Sequence, residues 1–428
     1  WISWQFGPKI TEALARIKQQ FDPNNRLNPG KIVNPPKMDD SAYFRFPPSY
    51  QVISVQPKLD WSVWNVQNNP VTEAVTAAGS GGDPAQGLAK AIEMCNNNGH
   101  CRKFDADVMC PSYRITRNEK DLTRGRANTL RLAISGQITN TSDTPPAHLP
   151  LATQAVKEVM DLCVSCKGCK RECPTGVDMA KMKIEYLAQY KERFGHTLRD
   201  RLVAHLPNYA PIIARIPGLP ALMNLRNHMP LLAKLQEWLT GISAQRSLPV
   251  WKSKHFWNQV PLPFATPEEL AKHDKRVVLF ADTFNAYFEN ENLQAALTLL
   301  QKSGYAIHVA QPQKGQEEQK PFCCGRTYLA SGMVSEAKAR LSALIHHLAP
   351  YANERIAIVG LEPSCLFTLR DEALTMGLGE AAQVVSKHAQ LLEEFLASEH
   401  KANRFVPNFK ESAQPILVHG HCHQKQKA

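Results

Sequence analysis

The sequence predicts an all-α, cysteine-bearing part followed by a parallel α/β layer part. Three observations carry that division. Seven of the eleven cysteines (Cys95, Cys101, Cys110, Cys163, Cys166, Cys169 and Cys173) fall within 79 residues of helical patterning. After Lys275, short apolar runs alternate with amphipathic stretches, the pattern of a parallel sheet covered by helices. Between these regions, residues 205–274 are rich in Leu, Pro and basic residues, with helical periods between the prolines. The length of 428 residues suits about three domains at ~150 residues each. A hydrophobic content of 43% is enough for packed cores.

Residues 10–21 read as a helix, closed by the turn-rich Asp22-Pro23-Asn24-Asn25 and Asn28-Pro29-Gly30-Lys31. Residues 37–83 read as a linker with short strands at 51–55 and 62–66, ending in Gly79-Ser80-Gly81-Gly82. Helical segments broken by cysteine loops fill 84–204. In the last part, 275–428, strands are expected at 276–281, 305–310, 355–361 and 415–419. Helices are expected at 291–303, 334–348 and 380–399. The chain opens without Met in an apparent mid-helix, which reads as a fragment of a longer protein. The first ten residues lack a basic region followed by an unbroken apolar stretch. No run approaches the ~18 apolar residues of a spanning helix. The expectation is a cytoplasmic protein, at most peripheral at the inner membrane.

The cysteine count is odd and clustered in a large chain, which argues against a disulfide framework and toward metal or redox chemistry. Cys163-Val-Ser-Cys166-Lys-Gly-Cys169-Lys-Arg-Glu-Cys173-Pro174 is C-x2-C-x2-C-x3-C-P, the signature of a cubane iron–sulfur cluster. Two-residue loops let three thiolates converge on one cluster, and Gly168 lets the backbone pass close. Lys167, Lys170 and Arg171 would help to offset the cluster's negative charge. Zinc ribbons usually separate two C-x2-C knuckles by about 15–20 residues, so four contiguous cysteines favour iron–sulfur.

The cysteine before proline ligates the other cluster in two-cluster proteins. Upstream, Cys95-Asn-Asn-Asn98-Gly99-His100-Cys101 keeps the C-x2-C-x2-C frame with Asn98 in the middle position, and Cys110-Pro111 supplies a second Cys-Pro. By the crossing rule Cys163, Cys166, Cys169 and Cys110 hold one complete 4Fe-4S cluster. Cys95, Cys101 and Cys173 remain for a second site, which could hold a three-iron cluster, a four-iron cluster with a non-cysteine ligand, or nothing. Residues 95–131 carry eight Lys/Arg against four Asp/Glu, a surface suited to an acidic partner domain or to a solvated helix face.

A second cysteine system follows. Phe322-Cys323-Cys324-Gly325, Pro363-Ser364-Cys365 and His419-Gly420-His421-Cys422-His423 lie at or near the carboxyl ends of expected parallel strands, where open α/β sheets place their sites. Adjacent cysteines rarely bond to each other because that ring is strained. Cys323, Cys324, Cys365 and Cys422 are therefore candidate redox or metal residues. Other chemistries find no support: no G-x-G-x-x-G follows a strand, and there is no Walker A loop, H-E-x-x-H, G-x-S-x-G or C-x-x-C-H. The net charge of +11 is not accompanied by aromatics interleaved with arginines, so nucleic acid is not an expected partner.

Together these motifs resemble the iron–sulfur half of bacterial FAD-linked D-2-hydroxy-acid dehydrogenases of the D-lactate/D-2-hydroxyglutarate type. They are also similar to the iron–sulfur subunits of glycolate oxidase and anaerobic glycerol-3-phosphate dehydrogenase, and to heterodisulfide reductase. Residues 1–36, with Phe21-Asp-Pro-Asn-Asn-Arg-Leu-Asn28-Pro-Gly-Lys31, resemble the end of an FAD-linked oxidase C-terminal domain. Residues 84–204 resemble a helical ferredoxin module, including Cys110-Pro-Ser-Tyr and Arg124-Gly-Arg-Ala. Residues 275–428 resemble the cysteine-rich CCG domain. The resemblance implies FAD in a preceding part and an electron path from flavin through the cluster. It implies the chain's own flavin domain or a flavoprotein subunit as partner, and a quinone or soluble carrier as acceptor. No catalytic acid or base is expected within these residues. The family's second Cys-Cys-Gly should follow the His-Cys-His element, whereas the chain stops at Ala428. Two rivals stand beside this reading. One is a heterodisulfide-reductase-like thiol module. The other is a docking or assembly module with structural cysteines, suggested by the basic, apolar-faced segment 206–263.

Overall fold

The computed structural model describes residues 2–44, 50–65, 83–103, 109–138, 143–258, 262–311, 321–406, 414–415 and 417–427. The chain divides into two compact units, Trp1–Gln51 and Val52–Ala428. In the first, α1 (Ile2–Phe21) is kinked where Gly7 leaves helical geometry at φ 76° just before Pro8, which has no N–H to give. After α1 the Asp22 carboxylate accepts the N–H groups of Arg26 and Leu27, both at 2.8 Å. That is the work of the turn-rich Asp-Pro-Asn-Asn stretch.

The second unit begins with residues 52–65. The strands expected at 51–55 and 62–66 are not present among the described residues (Val66 and the glycine-rich run 79–82 lie outside them). The polar groups of this segment find partners on the helices instead. Glu185, fully buried, takes the N–H groups of Lys58 and Leu59 at 2.9 and 3.0 Å and the indole N–H of Trp61 at 3.3 Å. Ile53 N–H goes to the carbonyl of Ile134 at 2.8 Å. The segment thus lies as an extended cover over helices, and Ser62–Trp64 forms a 3-10 turn.

Seven helices follow: α2 (Leu88–Glu93), α3 (Pro111–Thr116), α4 (Thr123–Ile134), α5 (Gln154–Met160), α6 (Gly168–Glu172), α7 (Met179–Phe194) and α8 (Leu198–Ala204). Polar caps set their starts. Thr153 accepts the Val156 N–H for α5, Asp178 accepts the Lys181 N–H for α7, and Thr197 with Asp200 forms a capping box for α8. Gly125 in α4 passes so close to the Glu119 carbonyl that a Cβ would sit 2.0 Å from its oxygen. The next segment holds α9 (Leu206–Arg215), α10 (Leu219–Asn224) and α11 (Pro230–Thr240), each with a proline in its first turn.

The α/β part has α12 (Pro267–Ala271), α13 (Thr283–Tyr287), α14 (Asn290–Lys302), α15 (Arg326–Ala330), α16 (Val334–Asn353), α17 (Pro363–Arg370), α18 (Gly379–His388), α19 (Leu392–Lys401) and α20 (Cys422–Lys427). Its four parallel strands are β1 (Arg276–Leu279), β2 (Ala306–Val309), β3 (Ala357–Gly360) and β4 (Ala389–Leu391), in the order β2-β1-β3-β4. Val277 pairs with Ile307 on one side and Ala357 on the other. Three strands fall where the apolar runs predict them.

Two expectations are corrected. The helix expected over 380–399 is interrupted by β4, where Ala389 and Leu391 turn inward around Gln390 and pair with β3. Helical periodicity of the flanking residues masks three residues of period two. The strand expected at 415–419 is absent among the described residues, and Leu417 and Val418 are exposed at 98% and 81%. Pro415 has no N–H to give to a ladder, and the apolar residues after it gain no burial. The helical and α/β parts share one continuous core, which includes Leu130, Met160 and Met182 with Val278, Leu341 and Leu366. No helix among the described residues is long and apolar enough to cross a membrane.

Candidate metal centre

Cys110, Cys163, Cys166 and Cys169 line one cavity, together with Val164, Met179 and Ala180. It encloses about 310 Å³ of atom-free space, counting its open mouth. Three backbone turns bring the sulfurs there. Ser165 and Lys167 adopt left-handed φ of 53° and 62°, which curls the C-x2-C-x2-C loop round the cavity. Each such non-glycine residue costs ~1 kcal/mol and so marks a geometry the site imposes. Cys110 does likewise at φ 51°, just before Pro111 starts α3. This turns its thiol toward α4, where Sγ accepts the Thr123 N–H at 3.2 Å and lies 3.1 Å from Thr123 Oγ1. Cys166 accepts the Gly168 N–H and Cys169 the Met179 N–H. Amides aimed at sulfur are what an anionic thiolate or cluster needs.

Burial holds these thiols in the protonated form. It pushes Cys166 up to about 11, Cys169 well above its usual value, and Cys110 upward against the pull of Thr123. Nearby positive charge works the other way. The buried guanidinium of Arg126 lies in the cavity wall and favours the thiolate of Cys110. Its Nε donates to the carbonyl of Val159 at 2.8 Å and Nη2 to Ser112 Oγ at 2.9 Å. Lys183 Nζ donates to the carbonyl oxygen of Cys163.

The cations of the loop, expected to offset cluster charge, each hold a protein partner, and Lys167 itself lines the cavity. Lys167, 3% exposed, donates to Asp371 and Glu372, both at 2.8 Å. Lys170 pairs with Asp371 at 2.5 Å and Asp178 at 3.3 Å, and Arg171 donates to the carbonyl of Lys425. Arg326 completes the network on Glu372 at 2.7 Å. Desolvation would raise the carboxyls of Asp371 and Glu372, but the cations outweigh it and hold both below the usual range. This buried network ties the cysteine loop to the corner after α17 and to the residue that follows Cys323-Cys324-Gly325.

The remaining predicted residues separate into groups. Cys95 and Cys101 are buried, and Cys101 feels the charges of Cys110 and Cys95, but its thiol is pushed to about 11, chiefly by burial. Cys173 does not line the cavity; its Sγ lies 3.3 Å from Thr175 Oγ1. Cys324 joins Cys323 and Cys365, hydrogen-bonding to both of them. The contact with Cys324 and burial push Cys323 well above its usual value. The bond from Cys324 favours the Cys365 thiolate, but burial still carries it to about 11. Gly325 is required there, since at φ 79° a Cβ would meet the Ala337 carbonyl oxygen at 2.8 Å. Asp282, at the carboxyl end of β1, and Glu362, at that of β3, disfavour the Cys365 thiolate further. Cys422 opens α20, which packs on α6 and on α17, the helix that carries Cys365; His423 Nε2 lies 3.1 Å from the carbonyl of Ser165, and the charge of Cys422 bears on Cys166.

Among the described residues, no three His, Cys, Asp or Glu side chains converge closely enough to hold a single metal ion. A zinc ion would draw four sulfurs to about 2.3 Å from one point. Four thiols spaced round a cavity, with amides aimed at three of them, instead fit a polynuclear cluster whose irons are distributed over its volume. Thr123, Arg126, Lys183, Asp371 and Glu372 were not singled out as site residues from the sequence. Of these, Arg126 lies within the Arg124-Gly-Arg-Ala run that resembles the ferredoxin module.

Comparisons with known proteins agree with this chemistry. Residues 91–177 match the profile of the 4Fe-4S dicluster domain, and residues 1–32 match that of the C-terminal domain of FAD linked oxidases. Iron–sulfur and FAD are the cofactor classes these segments bring. The chain is 27% identical over 454 aligned positions to D-2-hydroxyglutarate dehydrogenase of Escherichia coli, covering 97% of this chain and 40% of that protein. It is 28% identical to the protein of that name from Pantoea ananatis, covering 88% of this chain and 36% of the relative. For the Pseudomonas putida protein the identity is 26%, with 86% and 36% covered. The chain thus spans well under half the length of these relatives. No solved structure matches it.

Proposed function

We propose that this chain is the iron–sulfur, electron-carrying portion of an FAD-dependent dehydrogenase that oxidises a D-2-hydroxy acid, D-2-hydroxyglutarate or D-lactate, to the 2-oxo acid. The observation that carries the reading is that Cys110, from the upstream motif, shares a cavity with Cys163, Cys166 and Cys169. We propose these four as ligands of one 4Fe-4S cluster. When bound, such a cluster supplies reversible one-electron transfer at a potential set by its surroundings.

The residues of the chain do the rest. Met179 and Ala180, both buried, limit water at the sulfurs. The N–H of Thr123 and those of Gly168 and Met179 hold negative charge on Cys110, Cys166 and Cys169. Arg126 lowers the cost of a buried anion. The ion network from Lys167 to Arg326 fixes the loop against the α/β part, so the path to Cys323, Cys324 and Cys365 keeps one geometry. Electrons would leave toward a quinone or another acceptor. The hydrogen bonds that join those three thiols through Cys324 favour a second reading for the α/β part, thiol/disulfide redox chemistry.

Anaerobically purified protein tests the cluster. About four irons and four acid-labile sulfides per chain are expected for one cluster. Stoichiometric zinc with no visible absorbance would overturn the reading. Ligation requires thiolates, and the apo thiols are held protonated, so loading releases protons and reconstitution tightens as pH rises.

A further inference from the structure

Helix α11 (Pro230–Thr240) is oriented against the ordinary rule. Leu231, Leu232, Leu235, Trp238 and Leu239 share one face at the i, i+4, i+7 spacing, and at ~100° per residue they span about a third of the circumference. An amphipathic helix normally turns such a stripe to the core. Here Leu231 is 79% exposed and Trp238 81%, all five are exposed, and Ala233 is the helix's only buried residue. The same surface continues to the exposed Met229 and Leu222.

The orientation is held by polar bonds. Arg226, 8% exposed, donates to the carbonyls of Ser243 and Arg246. Asn227 exchanges hydrogen bonds with the backbone of Leu248, both at 2.9 Å, and Asn224 does so with Trp251 at 2.8 and 3.0 Å. Trp251 packs on Phe288, which anchors the returning chain in the α/β core. The helix is therefore strapped from behind by side-chain amides and a guanidinium, with its apolar face directed outward.

Charge identifies what that face meets. Residues 206–258 carry six Lys/Arg against one acid, Glu237. Arg215, Lys234, Arg246 and Lys254 are exposed. We propose that α11 docks the chain on an anionic lipid bilayer, with the leucines and Trp238 entering the headgroup–acyl boundary and the cations meeting lipid phosphates. The features are those of an interfacial helix: an apolar face that sinks ~5–10 Å, aromatic residues at the boundary, and cations each worth ~1 kcal/mol beside anionic lipid. This inference is independent of the redox reading and is measured without the cluster.

The test is co-sedimentation of the 428-residue chain with phosphatidylglycerol or phosphatidylcholine vesicles. At least tenfold tighter binding to phosphatidylglycerol is expected, weakening as salt rises. The triple variant Leu231→Ser/Leu235→Ser/Trp238→Ser alters exposed residues only, so its melting should be unchanged while binding is lost. Lys234→Glu should weaken binding severalfold and serves as the second variant if the triple one is unstable. Binding unchanged in both variants would overturn the proposal. So would a chain that ignores vesicles but dimerises in light scattering through the same stripe.

Discussion

Cys110, Cys163, Cys166 and Cys169 ring a cavity with Arg126 in its wall and Lys183 on the carbonyl of Cys163. Cys324 hydrogen-bonds to both Cys323 and Cys365, and Asp282 and Glu362 bear on Cys365. Both sets are largely buried, and burial raises thiols in each. What surrounds them differs. Amides are directed at three sulfurs of the first set and the Arg126 guanidinium favours the Cys110 thiolate, although Asp178 disfavours that of Cys169, so its surroundings accept thiolate once a metal arrives. In the second, the Gly325 N–H and Arg340 favour the Cys323 thiolate while Asp282 and Glu362 disfavour that of Cys365, and the sulfurs hydrogen-bond to one another through Cys324. The first set lines a shared cavity, whereas the second is joined thiol to thiol.

The largest expected effect comes from the network that joins the two sets. Lys167→Met leaves Asp371 and Glu372 buried without their shared cation, and losing one partner of a buried pair costs ~3–5 kcal/mol. Urea unfolding of the variant measures it. A loss below ~1 kcal/mol would mean that the two regions are not held together by this network. Acid comes next. His308 and His347 meet through their Nε2 atoms at 3.1 Å, and burial lowers them to about 3 and about 4. The unfolded chain takes up protons near 6.5 and the folded one only far below. Stability contributed by the pair is therefore complete above 6.5 and lost as pH falls toward about 3, by at most ~1.4 kcal/mol per pH unit per histidine. His308→Phe should flatten that slope in pH-dependent melting, and an unchanged slope would contradict the assignment. The smallest effect separates the two thiol sets directly. Cys324→Ala should cost ~1–2 kcal/mol as a small buried deletion and leave the iron bound at the first site unchanged. A fall in that iron would show that the sites are not independent.

The sequence carried the first set further than the second. The Cys-Pro pairing rule links Cys110 to a motif more than fifty residues downstream, and Cys110 lines one cavity with Cys163, Cys166 and Cys169. Cys422 was grouped with Cys323, Cys324 and Cys365 by its strand-end pattern; α20 packs on α17, which carries Cys365, and on α6, and the charge of Cys422 bears on Cys166. The strands of the α/β layer were legible where three consecutive residues are buried, as at β1 and β3. β4 was hidden because its three residues lie between two amphipathic helices. Asp371 and Glu372 left no local signal at all, since their partners Lys167 and Arg326 are distant in sequence. The buried carboxylate of Glu185, which accepts the N–H groups of Lys58 and Leu59 and the Trp61 indole, was equally invisible.

The most direct test of the account compares two single substitutions in otherwise identical anaerobic preparations. Cys110→Ser and Cys173→Ser should differ: iron and sulfide fall to near zero, or to an altered cluster spectrum, in the first, while the second retains about four of each. If Cys173→Ser loses the cluster and Cys110→Ser keeps it, the four contiguous cysteines are the ligands and the cavity shared by Cys110, Cys163, Cys166 and Cys169 is not the metal centre.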